Sequence, residues 1–175
     1  MRVSPSLAKA LDAYEEFMSR AYALELEAAE RYTQFAEQME SHNNLEVAQL
    51  FRKLAEIEGL HAKNILAEAG WPSLPAMPVP YASQGEGPET APFESLHYLM
   101  QPYHALEIAL RCEQRAVRYF EGIAESDASL RVRAVALAMA ADEREHVRLI
   151  EDWMRRVPAP APGWDEDPDP PRLSE

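Results

Sequence analysis

The stretch Phe51-Arg52-Lys53-Leu54-Ala55-Glu56-Ile57-Glu58-Gly59-Leu60-His61 decides the fold. Residues three and four apart share one face of a helix. The face through Val47, Phe51, Leu54, Glu58, His61, Ala62 and Ile65 is apolar except for one carboxylate and, one turn later, one imidazole. Burying a carboxylate without a partner costs several kcal/mol or more. A helix that places Glu58 on its core face therefore requires something in the core to compensate it.

The same anomaly occurs on three further segments. Glu25 is the only charge on a stripe of Ala21, Tyr22, Ala28, Ala29, Tyr32, Phe35, Ala36 and Met39, while Glu27 and Glu30 point elsewhere. Glu113 lies on a stripe of Leu106, Ala109, Ala116, Phe120 and Ile123. Glu143 and His146 lie on one of Val132, Val135, Ala136, Met139, Val147 and Ile150. The pattern is also an internal repeat. Glu25 is followed by Tyr32, Phe35, Ala36 and Glu37, and Glu113 by Phe120, Ile123, Ala124 and Glu125 at the same offsets. Each Glu then leads to a Glu-x-x-His on the next helix, which suggests a site on a pseudo-two-fold axis.

Four carboxylates facing one another repel and need protons or cations. Glu25, Glu58, His61, Glu113, Glu143 and His146 together form a donor set for a pair of metal ions, with carboxylates able to bridge and each imidazole completing one ion. Structural zinc sites are closed, four-coordinate and often thiolate-rich. Four carboxylates and two imidazoles suit a pair of iron (Fe) or manganese (Mn) ions.

The spacing predicts four long helices. The first runs over about 6–39 and is broken by Ser41-His42-Asn43-Asn44. The second runs over 44–69, with Asn43 and Glu46 at capping-box spacing and Gly70 and Pro72 ending it. A Pro- and Gly-rich linker occupies 71–92, and a short helix is expected around 93–100. Pro102 opens the third long helix, which runs to about 125. Ser126-Asp127-Ala128-Ser129 turns into the fourth, which runs to about 156. Short loop, long crossover, short loop describes two helical hairpins, and a ferritin-like bundle uses such a crossover. The fold class is therefore all-α, an antiparallel four-helix bundle over 1–157. The acidic, Pro-rich segment 158–175 is expected to be disordered.

Composition supports a core and narrows the partners. Hydrophobic residues are 47% of the 175, ample for one domain. A net charge of −13 argues against non-specific nucleic-acid binding and makes metal cations more natural partners. Cys112 is the single cysteine, so neither an internal disulfide nor a Cys-x-x-Cys centre is available. Met1-Arg2-Val3-Ser4-Pro5 has no apolar signal region and no run is long enough to span a bilayer, so no membrane partner and a cytoplasmic location are expected.

Glu25-Leu26-Glu27-Ala28-Ala29-Glu30-Arg31-Tyr32 and the stretch 51–61 resemble the first hairpin of rubrerythrin-type ferritin-like proteins, and Glu113 with Asp142-Glu143-Arg144-Glu145-His146 resembles the second. The resemblance implies a di-iron oxidoreductase that reacts with peroxide or dioxygen, or oxidises ferrous iron, and a homodimer. Glu58 and Glu143 would bridge, Glu25 and Glu113 would be terminal, and His61 and His146 would each bind one ion. Rubrerythrins proper carry a four-cysteine rubredoxin domain; without those cysteines, electrons are expected from a separate donor protein. They also carry a further Glu one turn after the third-helix ligand, where this chain has Ala116. The six-ligand set is similar to that of bacterioferritin, but Gly59 stands where bacterioferritin keeps its haem Met, and no fifth helix follows. The competing functions are iron handling without turnover and a helical interaction scaffold.

Other residues have two readings. Asp142 is either a hydrogen-bond acceptor behind a ligand histidine or a solvated acid. Tyr22 and Tyr32 flank Glu25, as donors to a ligand or as core packing. His42, His97 and His104 read as surface residues, and Cys112 and Met139 as core filling.

Overall fold

In the computed structural model the described residues are 5–71 and 87–167. They form α1 (Pro5–Ser41), α2 (Leu45–Ala69), a 3-10 turn (Phe93–Ser95), α3 (Pro102–Glu125) and α4 (Leu130–Met154), with no strand among them. α1 pairs with α2 and α3 with α4, so the molecule is two helical hairpins closed into an all-α, ferritin-like four-helix bundle. No helix among the described residues is long and apolar enough to cross a membrane. Of the expected linker, 72–86 lies outside the described residues.

The hairpin corners follow from local chemistry. Asn43 adopts a positive φ of 56°. Its N–H reaches Glu40 O, and Asn44 N–H reaches Met39 O, which caps the last carbonyls of α1 in a Schellman arrangement. That role removes Asn43 as the cap of α2. The expected Asn43 cap is replaced by Asn44, whose Oδ1 accepts from Val47 N. Gly70, at φ 70°, closes α2 in the same left-handed manner, with Gly70 N–H on Ala67 O and Trp71 N–H on Leu66 O. Ser129 caps α4 through Val132 N.

Asn44 also ties the hairpins together, because its Nδ2 donates to Met100 O at 2.6 Å. Asn44→Ala removes a cap, worth about 1 kcal/mol, and strands a carbonyl, worth about 1–3 kcal/mol. The expected result is a urea midpoint lowered by about 1–3 kcal/mol of stability at unchanged slope. A loss under roughly 0.5 kcal/mol, within the ordinary range of surface substitutions, would show the tie to be idle.

Two segments differ from expectation. The short helix around 93–100 is only the 3-10 turn Phe93–Ser95. Leu96 is extended (φ −88°, ψ 140°), which carries the chain across the α1–α2 corner to Asn44. The tail, read as disordered from 158, lies against the bundle as far as 167. Trp164 packs on His104 at 3.7 Å between ring centroids and on His97 at 5.2 Å, and the Tyr98 hydroxyl donates to Asp167. His104 is accordingly buried rather than at the surface, and its Nδ1 accepts from Gln101 N at 3.0 Å. Residues 168–175 lie outside the described residues.

The core has two apolar halves. One gathers Tyr32, Phe35, Met39, Phe51, Leu106 and Ile150. The other gathers Phe17, Met18, Ile65, Phe120, Ala136 and Met139. Along every helix the buried acidic residue falls between the two halves, so the bundle carries a polar layer across its middle.

Candidate metal centre

All six residues singled out by the stripes meet in that layer. Glu25 of α1, Glu58 of α2, Glu113 of α3 and Glu143 of α4 are 3%, 4%, 4% and 3% exposed. Small residues on the same faces, such as Ala21, Ala28, Ala109 and Ala116, are fully buried beside them. The two histidines repeat one geometry. His61 Nδ1 lies 3.2 Å from Glu58 Oε2 and 3.4 Å from Glu25 Oε2. His146 Nδ1 lies 2.9 Å from Glu143 Oε2 and 3.5 Å from Glu113 Oε2. The imidazoles stack on each other at 4.3 Å with an interplanar angle of 5°. Each hairpin thus contributes two carboxylates and one imidazole, and the sets meet at the interface between hairpins.

One further carboxylate enters the layer. Glu89, from the segment between the hairpins, is 5% exposed, and its carboxylate lies with those of Glu25 and Glu143 within 4.8 Å. Sequence periodicity missed it because the surrounding residues are neither helical nor alternating. The only available signal was an acidic residue between prolines in a crossover long enough to traverse the bundle.

The electrostatics show how crowded the layer is. Burial, with Glu143 and Glu58 nearby, lifts Glu25 to about 7 despite His61. Burial and the surrounding carboxylates hold Glu89 and Glu113 well above the ordinary carboxylate range. Burial alone would lower His61, but the Glu25 and Glu58 carboxylates more than reverse this and lift it to about 10. His146 is raised for the same reason by Glu143. Glu143 is lowered, its burial outweighed by His146 and Glu113. A layer that holds so many protons near neutrality is one in which cations can replace them.

The donor atoms fit a metal pair. Glu25 Oε2, His61 Nδ1 and both oxygens of Glu89 are buried with no hydrogen-bond partner among the described residues. The His61–Glu25 and His61–Glu58 approaches are ion-pair distances without hydrogen-bond alignment. Ligand atoms of Glu25, Glu58 and His61 lie within 4.8 Å of one another, as do those of His61, Glu143 and His146. Three orphaned oxygens and one orphaned nitrogen in one layer, with no thiolate among them, match a hard or borderline cation.

A cleft of about 310 Å³ reaches the layer from the surface. Glu25, His61, Glu143 and His146 line its floor, with Asn64 and Asp142 beside them. Asp142 is exposed there, while the Nδ1 of His146 is engaged with Glu143. Tyr32 is buried and stacks on Phe51 at 6.0 Å, and its hydroxyl is raised by burial and by Cys112. Tyr22 is half-buried beside the core half that contains Phe17 and Phe120. Burial pushes the Cys112 thiol up to about 11, as expected for a core residue.

An antiparallel four-helix bundle with inward Glu and Glu-x-x-His donors is a ferritin-like carboxylate–histidine protein. A rubrerythrin family model matches residues 16–70, the span of α1 and α2 that contains Glu25, Glu58 and His61. The crystal structure of an uncharacterized conserved protein from Magnetospirillum magnetotacticum MS-1 is 37% identical over 84% of this chain and 97% of that one, with a TM-score of 0.63. No curated protein matches the chain. The chain belongs to the rubrerythrin family.

Proposed function

We propose that the protein is a di-iron oxidoreductase whose reduced iron pair reacts with peroxide or dioxygen. The observation that carries the reading is the set of buried polar side-chain atoms in the middle layer, supplied by all four helices and in part without a hydrogen-bond partner among the described residues. Glu58 and Glu143 would serve as bridging carboxylates, Glu25 and Glu113 as terminal ligands, and His61 and His146 would each hold one ion. A ferrous pair held there would supply two electrons, enough to cleave the O–O bond of a peroxide or to reduce dioxygen to the peroxide level. The chain's own contribution is to fix these donor side chains on a rigid bundle and to shield them with an apolar half on either side. The cleft admits a molecule the size of peroxide, and Asp142 and Asn64 keep its mouth polar. A separate donor protein returns the electrons, and a second copy of the chain is the assigned oligomeric partner. Exposed Leu26 and Leu60, which share a shallow apolar groove at Gly59, are available for that contact.

Iron content per chain, followed by peroxide addition to the reduced protein with excess reductant, tests the reading. The expected result is about two irons per chain and re-oxidation over many turnovers. Uptake of many irons per chain would point to iron handling instead. A protein that binds no metal would end the reading altogether.

A further inference from the structure

The residues around Glu89 form a small, tightly held structure. Gly87-Pro88-Glu89-Thr90 is a turn in which Thr90 N–H donates to Gly87 O at 3.2 Å and the Thr90 hydroxyl to the same oxygen at 3.1 Å. Pro88 at the second position suits such a turn. Arg115 of α3, two residues beyond Glu113, clamps both sides of Glu89. Its Nε donates to Pro88 O at 2.9 Å and its Nη2 to Thr90 O at 2.6 Å. The turn also sits hard on α1. A Cβ on Gly87 would lie 3.1 Å from Leu24 Cδ2 and 3.2 Å from Glu27 Oε2. The crossover is therefore fixed to both hairpins at the level of the metal layer.

This clamp holds a side chain that nothing among the described residues satisfies. Neither oxygen of Glu89 has a hydrogen-bond partner, and both are buried. A carboxyl kept only for packing would need an acceptor for its proton or donors for its charge, because an unsatisfied buried polar group costs about 1–3 kcal/mol and a charged one more. What it faces instead is Glu25 of α1 and Glu143 of α4, one carboxylate from each hairpin.

We propose that Glu89 is a seventh protein ligand of the metal pair, delivered by the crossover and positioned by Arg115. The proposal rests on the reading of the layer as a two-metal centre. Rubrerythrins place their additional carboxylate on the third helix, where this chain has the fully buried Ala116; here a carboxylate reaches the site from a different element. Because Glu89 has no counterpart in the repeat, it makes the two metal positions inequivalent. An added negative ligand also favours the ferric over the ferrous pair.

The test is an anaerobic ferrous-iron titration of the full chain, with Mössbauer spectra of the loaded protein, for the wild type, Glu89→Gln and Glu89→Asp. Glu89→Gln removes the charge. Glu89→Asp keeps the charge but draws it back by one methylene, and it remains informative if the Gln variant fails to fold. The expected wild type takes two ions of unequal affinity. Both variants should bind the weaker ion at least about tenfold less tightly, the scale seen when groups supporting a metal are lost, with a changed quadrupole doublet for one iron. If both variants match the wild type in stoichiometry, affinity and spectrum, Glu89 is not a ligand, although the two-metal centre stands. If only Glu89→Gln weakens binding, the residue acts through its charge alone and the assignment as ligand falls. A wild type that binds no iron overturns the inference together with the reading beneath it.

Discussion

Glu58→Ala is expected to keep the bundle and lose the metal pair. Glu58 sits mid-helix in α2, where Ala is a better helix former than Glu, so no local reason for unfolding exists. The layer is different. Loss of groups that merely orient metal ligands costs about 10–100-fold in affinity; in the proposed bridging role Glu58 would touch both ions, so the expected loss is larger, beyond about 100-fold. Stability provides a second readout. Metal at about 100 times its dissociation constant stabilises a protein by roughly 2.7 kcal/mol per site, or about 5–10 °C in melting temperature for a chain of this size. The wild type should show that rise and the variant should not. The isosteric Glu58→Gln should lose metal equally. In the metal-free form the Glu58 charge repels Glu25 and Glu113 but holds the charged His61, so its removal acts on stability in both directions and the metal-dependent rise is the readout that decides. Wild-type metal content in either variant, measured after desalting, would refute the assignment of Glu58.

The metal-free protein is expected to lose stability as the pH rises from about 5.5 to 8, opposite in sign to a protein held together by ordinary salt-bridged carboxylates. The folded state holds protons that the unfolded chain has released. Glu25, at about 7 in the fold, keeps its proton where an unfolded glutamate has lost it. Glu89 and Glu113 are raised in the same direction. His61, at about 10, and His146 stay charged in the fold where the unfolded imidazole is neutral, so their stabilisation is complete below about pH 6.5 and fades as the pH climbs. Glu143 is lowered, and its contribution disappears only in acid below about pH 4.5. Glu25, Glu89, Glu113, His61 and His146 therefore act with one sign between pH 5.5 and 8, and they outweigh the single opposing group, His104, which burial lowers. A pKa difference of one between folded and unfolded states corresponds to about 1.36 kcal/mol, so the fall should be on the order of a few kcal/mol. Metal reverses the trend because binding displaces the same protons, so affinity increases with pH. Melting curves at pH 5.5 and 8, with and without a divalent ion, check both halves. A metal-free protein more stable at pH 8 than at 5.5 would show that the layer is not crowded with buried protons.

The convergence of these six side chains was legible without coordinates because each breaks a local rule. Glu58 and His61 stand on a face otherwise made of Phe51, Leu54 and Ile65, and a 3.6-residue period exposes such a conflict directly. The helices and both hairpin corners were legible for the same reason, since propensity, breakers and caps act within a few residues. The cap of α2 marks the limit of such local signals. Asn43 and Asn44 are identical in kind, and which one caps α2 depends on which one uses its backbone to close α1.

His104 and Trp164 were missed for another reason. A histidine near a helix start and a tryptophan in an acidic tail carry no periodic sign of their packing; their mutual contact helps to bury His104 and leaves Trp164 half-buried.

Sequence alone determined four amphipathic helices, their pairing into hairpins, and a core layer of carboxylates that needs protons or cations, because those follow from helical period and the cost of buried charge. Tertiary structure alone decided that Glu89 joins that layer. Its position depends on Arg115 gripping Pro88 and Thr90 from a helix far along the chain. Contacts of that range leave no trace in local pattern, since they are fixed by how the hairpins pack rather than by the residues beside them.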